Sequence, residues 1–99
     1  MPAYVIAEMN VIDEGLAVQY AALAAPVLKA FGGRHLVRGA KPDVREGTRT
    51  HQRIVIIEFP SMENALAWYT SPQYASAHEL GSKALDRRLT FVEGLPPEV

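Results

Sequence analysis

Four short stretches of the chain carry apolar side chains on both of the faces that a β-strand presents: residues 3–9, 35–38, 53–59 and 89–92. A strand with one face in water alternates apolar and polar residues. Here residues 54–57 read Ile-Val-Ile-Ile without a break. Only two helical stretches are available as cover, so we expect helices on one face of a sheet and a second copy of the chain on the other.

The first helical stretch follows a strand that the alternation places at residues 3–10. Asp13 is suited to accept hydrogen bonds from the free backbone donors of the first helical turn. Pro26 lacks a backbone donor and predicts a kink or a short break, whereas Gly32-Gly33 predicts the end of the helix. Spacings of four, three and four residues predict a buried stripe made of Leu16, Tyr20, Leu23 and Val27.

The second helical stretch begins after Pro60-Ser61, where Ser61 is the expected cap. Ser71-Pro72 repeats this start signal, so a further helical segment is expected at residues 72–86. The remaining strands are predicted at residues 34–39, 53–59 and 88–93, and residues 40–52 form a loop that is long for a hairpin. The predicted buried stripe of the second helix consists of Met62, Ala65, Leu66 and Tyr69.

The order strand, helix, strand, strand, helix, strand is typical of the ferredoxin-like fold, an α+β fold in which helices cover one face of a four-stranded antiparallel sheet. Right-handed crossovers place the first and third strands at the centre, which predicts the strand order 4-1-3-2. The 99 residues correspond to a single domain, residues 1–99, with its core at about 3–94. Closure of the bare face by a second protomer predicts a homodimer.

Charge and residue content argue against several functions. The net charge of −1 argues against a nucleic-acid-binding protein, which usually displays a basic face, and against electrostatic attachment to a membrane. The chain contains no cysteine, so disulfides, thiolate metal sites and cysteine nucleophiles are excluded. No signal peptide or membrane-spanning segment is expected from the hydropathy pattern, which makes the cytoplasm the expected compartment.

Several phrases of the sequence occur together in one known family. Residues 32–39 read Gly-Gly-Arg-His-Leu-Val-Arg-Gly, residues 58–61 read Glu-Phe-Pro-Ser, and residues 68–72 read Trp-Tyr-Thr-Ser-Pro. From Tyr4 to Gly94 the chain resembles the family known as domain of unknown function 1330, in the dimeric α+β barrel superfamily. The resemblance implies a ferredoxin-like protomer and a homodimer joined through the sheets. The resemblance implies no settled activity. Members usually carry Glu where this chain has Gln73, and many carry Arg near Gly81; if either position shapes a site, the ligand of this chain differs or the site is lost.

Arginines near the sheet are the first candidates for a ligand site. Arg34 and Arg38 are expected on one face of the second strand, and hairpin pairing is expected to bring Arg53 near Arg38. Two guanidinium groups that converge on one cavity suit a carboxylate or a phenolate, because arginine offers a planar fork of donors. The alternative is that these arginines form ion pairs with Glu8 or Glu58 at the rim of the sheet.

Two histidines and a glutamate are candidates for proton transfer. His35 is expected, with Val37, on the face of the second strand opposite the arginines, and histidine titrates near neutral pH. His78 shares a predicted helical stripe with Tyr74. Burial of Glu58 in an apolar strand would raise its pKa towards that of a general base. The alternatives are half-buried, hydrogen-bonded histidines and a salt bridge from Glu58 to arginine. No spacing of histidines and carboxylates indicates a metal site.

Aromatic residues cluster where the two later helical segments meet. Trp68, Tyr69 and Tyr74 are expected to form cavity walls, although aromatic residues at this spacing most often belong to the core. Asn10 is expected either to donate to a substrate oxygen or to cap the turn before the first helix. The sequence thus predicts a pocket between sheet and helices for a small, partly apolar, anionic molecule. The resemblance implies that any catalysis is cofactor-free, of the monooxygenase or isomerase kind; the alternatives are a non-catalytic binding module and a structural dimer domain.

Overall fold

The computed structural model describes residues 1–49 and 51–96 of the chain. The elements follow in the order β1 (Ala3–Val11), α1 (Glu14–Ala30), β2 (Arg34–Ala40), β3 (Arg53–Phe59), α2 (Met62–Thr70), α3 (Pro72–Ala84) and β4 (Leu85–Glu93). The strands form one antiparallel sheet in the order β2-β3-β1-β4. The predicted ferredoxin-like topology and strand order are confirmed.

The strand register divides the sheet into a helix-covered face and an open face. Val5 of β1 pairs with Ile57 of β3 and Phe91 of β4, and these side chains pack in the core with residues of the helices. The neighbouring pair Ile6 and Ile56 lies on the opposite side. We call that side the open face; its residues include Tyr4, Ile6, Glu8, Asn10, Val37, Ile54, Ile56 and Glu58.

The ends of α1 follow the prediction, but its interior does not. The Asp13 carboxylate accepts a hydrogen bond at 3.0 Å from a backbone amide of the first turn, and Gly32 follows the helix with a φ of 84°. A kink or a short break was expected at Pro26. The helix continues through this residue, so there is no break. Pro26 and Ala22, which would accept its missing hydrogen bond, are both exposed, so water can solvate the free carbonyl.

The buried stripe of α1 also differs from the prediction, because Leu23 is 49 % exposed. Tyr20 and Val27 of the predicted stripe do pack against the core, so the prediction is wrong at Leu23 and not as a whole. Small residues instead face the sheet, together with one tyrosine and one leucine. These residues are Ala17, Tyr20, Ala21, Ala24, Ala25 and Leu28.

Serine caps define the starts of α2 and α3, as predicted. Ser61 and Ser71 each accept a hydrogen bond at 3.1 Å from the amide three residues further on. The predicted stripe of α2 is partly wrong: Ala65 and Trp68 are buried, whereas Leu66 is 48 % exposed. The large indole is the side chain that α2 inserts into the core, and this sets the rotation of the helix.

The boundary between α3 and β4 lies earlier than predicted. α3 ends at Ala84 and β4 begins at once with Leu85, where residues 72–86 were expected to be helical. The Ala84 carbonyl accepts hydrogen bonds from the amides of Ile12 and Asp13 at 2.8 and 3.2 Å. The chain after α3 is therefore extended, and Arg87 belongs to a strand.

A bulge in β2 reverses the predicted alternation of its side chains. The register shifts between His35 and Val37 and again between Arg38 and Ala40. His35 and Arg38 pair with β3 residues of the helix-covered face, whereas Arg34 and Val37 pair with residues of the open face. The prediction that Arg34 and Arg38 share a face is wrong, because an extra residue in a strand moves all later side chains to the other face.

Candidate functional site

A cavity of about 220 Å³ lies between α1 and the helix-covered face of the sheet. Its walls are mainly apolar side chains of α1, β1, β3 and β4. Among the described residues, the lining includes no carboxylate. The polar or charged side chains in the wall are Tyr20, His35, Arg38, Trp68 and Arg87.

Alanines on α1 account for the free volume. Four alanines line the cavity along about two and a half turns of the helix, at positions 17, 21, 24 and 25. Across from them, Val5, Ala7 and Met9 of β1 form the floor. The methyl side chain of alanine is too short to fill the space that a leucine side chain would fill. A void therefore remains between the helix and the sheet.

Arg87 of β4 is a half-buried cation in the cavity wall. Its Nη1 donates a hydrogen bond to the Tyr20 hydroxyl at 3.0 Å, and its guanidinium lies 5.1 Å from the centre of the Tyr20 ring. Within the described residues, no carboxylate forms an ion pair with it. A half-buried charge without a counterion is costly, so this arginine is ready to accept an anion.

A buried tyrosine and a glycine fix the position of Tyr20. The hydroxyls of Tyr20 and Tyr74 are hydrogen-bonded at 2.8 Å, and Tyr74 is 0 % exposed. Burial, and next the neighbouring Tyr20, raise the pKa of Tyr74, so its hydroxyl keeps its proton. Gly81 of α3 leaves room for both partners: a Cβ there would lie 2.8 Å from the Tyr20 ring and 2.9 Å from Arg87 Nη2.

His35 and Arg38 enter the same cavity from β2, which the bulge makes possible. Desolvation by burial, and next the positive charge of Arg38, lower the pKa of His35 below its usual value. The imidazole is therefore neutral at pH 7 and can accept a hydrogen bond or a proton. The guanidinium groups of Arg38 and Arg87 give the cavity wall two positive charges.

Trp68 contributes a buried polar atom to the residues that line the cavity. The side chain is 2 % exposed and its ring packs against Tyr74 and Phe59, with centroids 4.5 and 5.5 Å apart. The indole Nε1 is buried and has no hydrogen-bond partner among the described residues. Trp68 was expected to lie outside the buried stripe of α2, and it is instead central to the core.

Arg53 and Asn10, both predicted to bind the ligand, lie away from the cavity. Arg53 does not line it, and donates a hydrogen bond from Nη1 to the Gly39 carbonyl at 3.2 Å. Asn10 lies on the open face, where its Oδ1 accepts from the Gln52 amide at 2.8 Å. The structure therefore brings Arg38 together with Arg87, rather than with Arg53, at the cavity.

His78 and Tyr69 lie beside a separate groove at the edge of β4. His78 Nε2 and the Tyr69 hydroxyl are 3.2 Å apart, within hydrogen-bond distance, which matches the alternative of a half-buried, hydrogen-bonded histidine. The groove shares Arg87 with the cavity and also contains Ser82. The three aromatic residues of the prediction are thus divided: Trp68 lines the cavity, Tyr69 lines the groove, and Tyr74 supports Tyr20.

Glu58 lies on the open face, on the other side of the sheet from the cavity. Arg34 Nε donates to Glu58 Oε1 at 2.9 Å, and the Tyr4 hydroxyl donates to Oε2 at 3.2 Å. The expected rise of the Glu58 pKa is wrong: the hydrogen bond from Arg34 lowers this pKa. Glu8 on the same face forms ion pairs with Arg49 and Arg88 at 2.9 and 3.2 Å, so both glutamates are salt-bridged.

Arg87 is the functional candidate that the sequence reasoning missed. The helix predicted for residues 72–86 ended one residue before it and hid the start of β4. A signal was present, since Leu85, Leu89 and Phe91 alternate with polar residues at the spacing of a strand. Arg87 lies an even number of positions from each of these residues, so its side chain is on the same face of the strand.

Two further properties of the described residues concern metal binding and membrane spanning. No group of three or more histidine, cysteine, aspartate or glutamate side chains in residues 1–49 and 51–96 is arranged to hold a metal ion. None of the helices in the same ranges has the length and apolar character needed to cross a bilayer.

The fold and the cavity define the class: a ferredoxin-like α+β protein with an apolar cavity beneath its first helix. Residues 2–95 match the model of the family described as Domain of unknown function (DUF1330), and the chain belongs to that family. The predicted resemblance is confirmed. A comparison with curated proteins gave no match.

Solved structures of similar fold include proteins with and without a described activity. A protein of unknown function from Rhodopseudomonas palustris aligns with a TM-score of 0.80 and 19 % identity, over 97 % of this chain and 84 % of that one. A dimeric ferredoxin-like protein of unknown function from Jannaschia sp. CCS1 aligns with a TM-score of 0.66 and 13 % identity, over 95 % and 100 %. A mutant of SnoaB, a cofactor-independent oxygenase from Streptomyces nogalater, aligns with a TM-score of 0.62 and 12 % identity, over 97 % and 95 %. At these identities the similarity shows the fold alone.

Proposed function

We propose that this protein is a homodimer in which each protomer binds a small, mainly apolar, anionic molecule in the cavity under α1. The observation that carries the proposal is Arg87, a half-buried cation in an apolar wall with no carboxylate partner among the described residues. Arg38 adds a second guanidinium to the same wall. An anion supplied by a ligand would compensate these charges, and arginine binds carboxylates through two parallel hydrogen bonds.

The cavity volume limits the size of the ligand. An apolar protein cavity of about 150 Å³ holds a benzene molecule. The cavity of about 220 Å³ therefore suits one aromatic or alicyclic ring with a small substituent. An aromatic carboxylate such as benzoate combines the required size, the apolar ring and the negative charge.

His35 supplies the proton-transfer chemistry that a reaction in this cavity would use. Its lowered pKa makes the neutral imidazole available as a base at pH 7. Glu58 and His78, the other predicted catalytic residues, lie outside the cavity lining, so His35 is the proposed catalytic residue. The similarity in fold to SnoaB, described as a cofactor-independent oxygenase, supports a cofactor-free oxygenase-like reaction, and an isomerase-like reaction is the alternative.

A non-catalytic binding protein is the second candidate. The observation that favours it is the composition of the cavity wall, which contains no carboxylate among the described residues. With a single histidine as proton acceptor, the site has the donors needed to hold an anion and few groups to transform it. Turnover assays on ligands found by binding would separate the two candidates.

The homodimer is proposed from the open face. Ile6, Ile54 and Ile56 lie there side by side on the two central strands, only partly covered in the protomer. The glutamates of this face are already paired with arginines, so covering the face would leave no glutamate charge uncompensated. Several proteins of similar fold are described as dimeric, which supports the same arrangement here.

Binding is tested by thermal shift and calorimetry with benzoate, using charge-removing variants of the cavity. Arg38→Ala and Arg87→Gln are each expected to weaken benzoate binding by about 10-fold or more, because each removes a charge-assisted hydrogen bond. Arg45→Ala is the matched control, since Arg45 is exposed and pairs with Asp43 in the loop. Equal affinity in the parent and both cavity variants would refute the site.

Assembly is tested by light scattering at micromolar concentration. The parent is expected to have the mass of two chains, and Ile56→Asp is expected to dissociate it or to unfold it, since it buries an unpaired charge at the interface. Val18→Asp is the control, because Val18 on α1 is 68 % exposed. A monomeric parent, or a dimeric Ile56→Asp variant, would contradict the arrangement.

A further inference from the structure

We propose that the indole N–H of Trp68 is a binding subsite for an uncharged oxygen acceptor of the ligand, in addition to the arginines that hold its charge. This inference rests on the proposed function of the cavity and specifies its ligand further. The ligand is then a ring that carries a carbonyl or an equivalent acceptor, and not a plain hydrocarbon with a distant charge.

The unsatisfied donor is the first observation. Trp68 lines the cavity and is 2 % exposed, and its Nε1 has no hydrogen-bond partner in the described part of the chain. A buried tryptophan N–H usually finds a partner, and an unpaired buried donor destabilises the fold. A cavity wall is a place where the missing partner can be supplied from outside.

The neighbouring aromatic residues do not supply the acceptor. Tyr74 is the nearest ring to Trp68, but its hydroxyl is hydrogen-bonded to the Tyr20 hydroxyl. The Tyr69 hydroxyl is within hydrogen-bond distance of His78 instead. The third neighbour is Phe59, which has no polar atom. The tyrosine hydroxyls around the indole therefore bond to other partners. The indole N–H of Trp68 is left without an acceptor among the described residues.

The consequence for specificity is a preference between ligands of equal shape. A site that contains a buried donor rejects an analogue that lacks the acceptor, because the donor is then left unpaired in the complex. Acetophenone and ethylbenzene have nearly the same shape, and only acetophenone carries a carbonyl oxygen. Both are uncharged, so neither forms an ion pair with Arg38 or Arg87, and a Trp68 variant together with the indole signal distinguishes the indole from the arginines as donor to the carbonyl.

The test combines one variant with one spectroscopic signal. Trp68→Phe keeps an aromatic ring and removes the N–H. It is expected to weaken acetophenone binding relative to ethylbenzene binding by about 3- to 10-fold, because the change in wall shape affects both ligands and the loss of the N–H affects only acetophenone. Because Trp68 is the only tryptophan of the chain, ¹⁵N-labelled parent protein gives a single indole N–H signal. Acetophenone is expected to move this proton signal downfield, and ethylbenzene is expected to leave it in place.

The outcomes separate this inference from the function on which it rests. If benzoate binds in an arginine-dependent manner but acetophenone does not move the indole signal, the subsite is refuted and the anion site stands. An indole proton that is already downfield in the free protein also refutes it, since the donor then has a partner. If benzoate, acetophenone and ethylbenzene all fail to bind the parent, both proposals are refuted. The spectroscopic result holds even if Trp68→Phe does not fold.

Discussion

Gly81→Ala tests whether the space beside Arg87 is a necessary part of the site. Gly81 lies inside α3, where alanine is favoured over glycine by about 0.8–1 kcal/mol. The added Cβ would lie 2.8 Å from the Tyr20 ring and 2.9 Å from Arg87 Nη2. Such an approach requires the neighbours to move, and overpacking of this kind costs about 1–3 kcal/mol.

The clash is expected to exceed the gain in helix propensity. The Tyr20 ring cannot move freely, because its hydroxyl is hydrogen-bonded at 2.8 Å to buried Tyr74 and at 3.0 Å to Arg87. We therefore expect Gly81→Ala to lower the free energy of unfolding by about 1 kcal/mol. This value is the cost of overpacking minus the gain in helix propensity. The same displacement of Arg87 is expected to weaken benzoate binding.

Gly15→Ala provides the matched control. A Cβ at Gly15 would meet only the Asp13 Oδ1 atom, at 3.5 Å, which is an ordinary contact. Its helix, α1, should therefore gain a few tenths to about 1 kcal/mol. The two variants are compared by urea unfolding at one protein concentration and by calorimetry, where 1 kcal/mol corresponds to about 4–8 °C in Tm for a domain of this size. Equal stability of the two variants, with unchanged benzoate affinity, would refute the reasoning.

Three further substitutions are expected to change stability in defined ways. Ser71→Ala removes a cap that also donates to the Trp68 carbonyl at 2.9 Å; a loss of about 1–2 kcal/mol is expected in urea unfolding, and an unchanged midpoint would contradict it. Burial and the neighbouring Arg38 lower the pKa of His35, so the unfolded chain binds the proton more readily and stability falls below about pH 6.5. His35→Gln should show a smaller fall between pH 7.5 and 5.5, and parallel profiles would argue against this. The lowered pKa of Glu58 contributes stability above the unfolded pKa of about 4.3, which is lost as pH falls through the folded pKa; Glu58→Gln should flatten the profile below about pH 5, and an unaltered slope would count against the ion pair.

The fold could be predicted because its signals are local and agree with one another. The unbroken apolar run at residues 54–57 predicts a central strand that is covered on both faces, and β3 has the predicted bounds, Arg53–Phe59. Asp13, Ser61 and Ser71 each cap the helix that they were expected to cap. Each of these signals depends on a few adjacent residues and on backbone geometry alone.

The site was harder to predict because it depends on contacts between distant elements. No glycine or proline occurs at the first bulge of β2, so nothing in the local sequence shows that His35 and Arg38 lie on the same face. The end of α3 also lacks a terminating glycine or proline, which placed Arg87 beyond a helix instead of within a strand. The pairing of these strands with their neighbours decides both features, and pairing is not encoded at either position alone.

Single amino-acid substitutions of the alanines that line the cavity along α1 would change the width of the cavity. Ala17, Ala21 and Ala24 sit on a helix whose backbone position is held by other side chains, among them Leu28 in the core. Replacement of one such alanine by valine or leucine would narrow the chamber without altering the strands that carry the arginines. The size of the ligand is therefore selected by α1, and its charge is recognised by the strands that carry Arg38 and Arg87. Evolution can change the size selectivity while it preserves the recognition of charge.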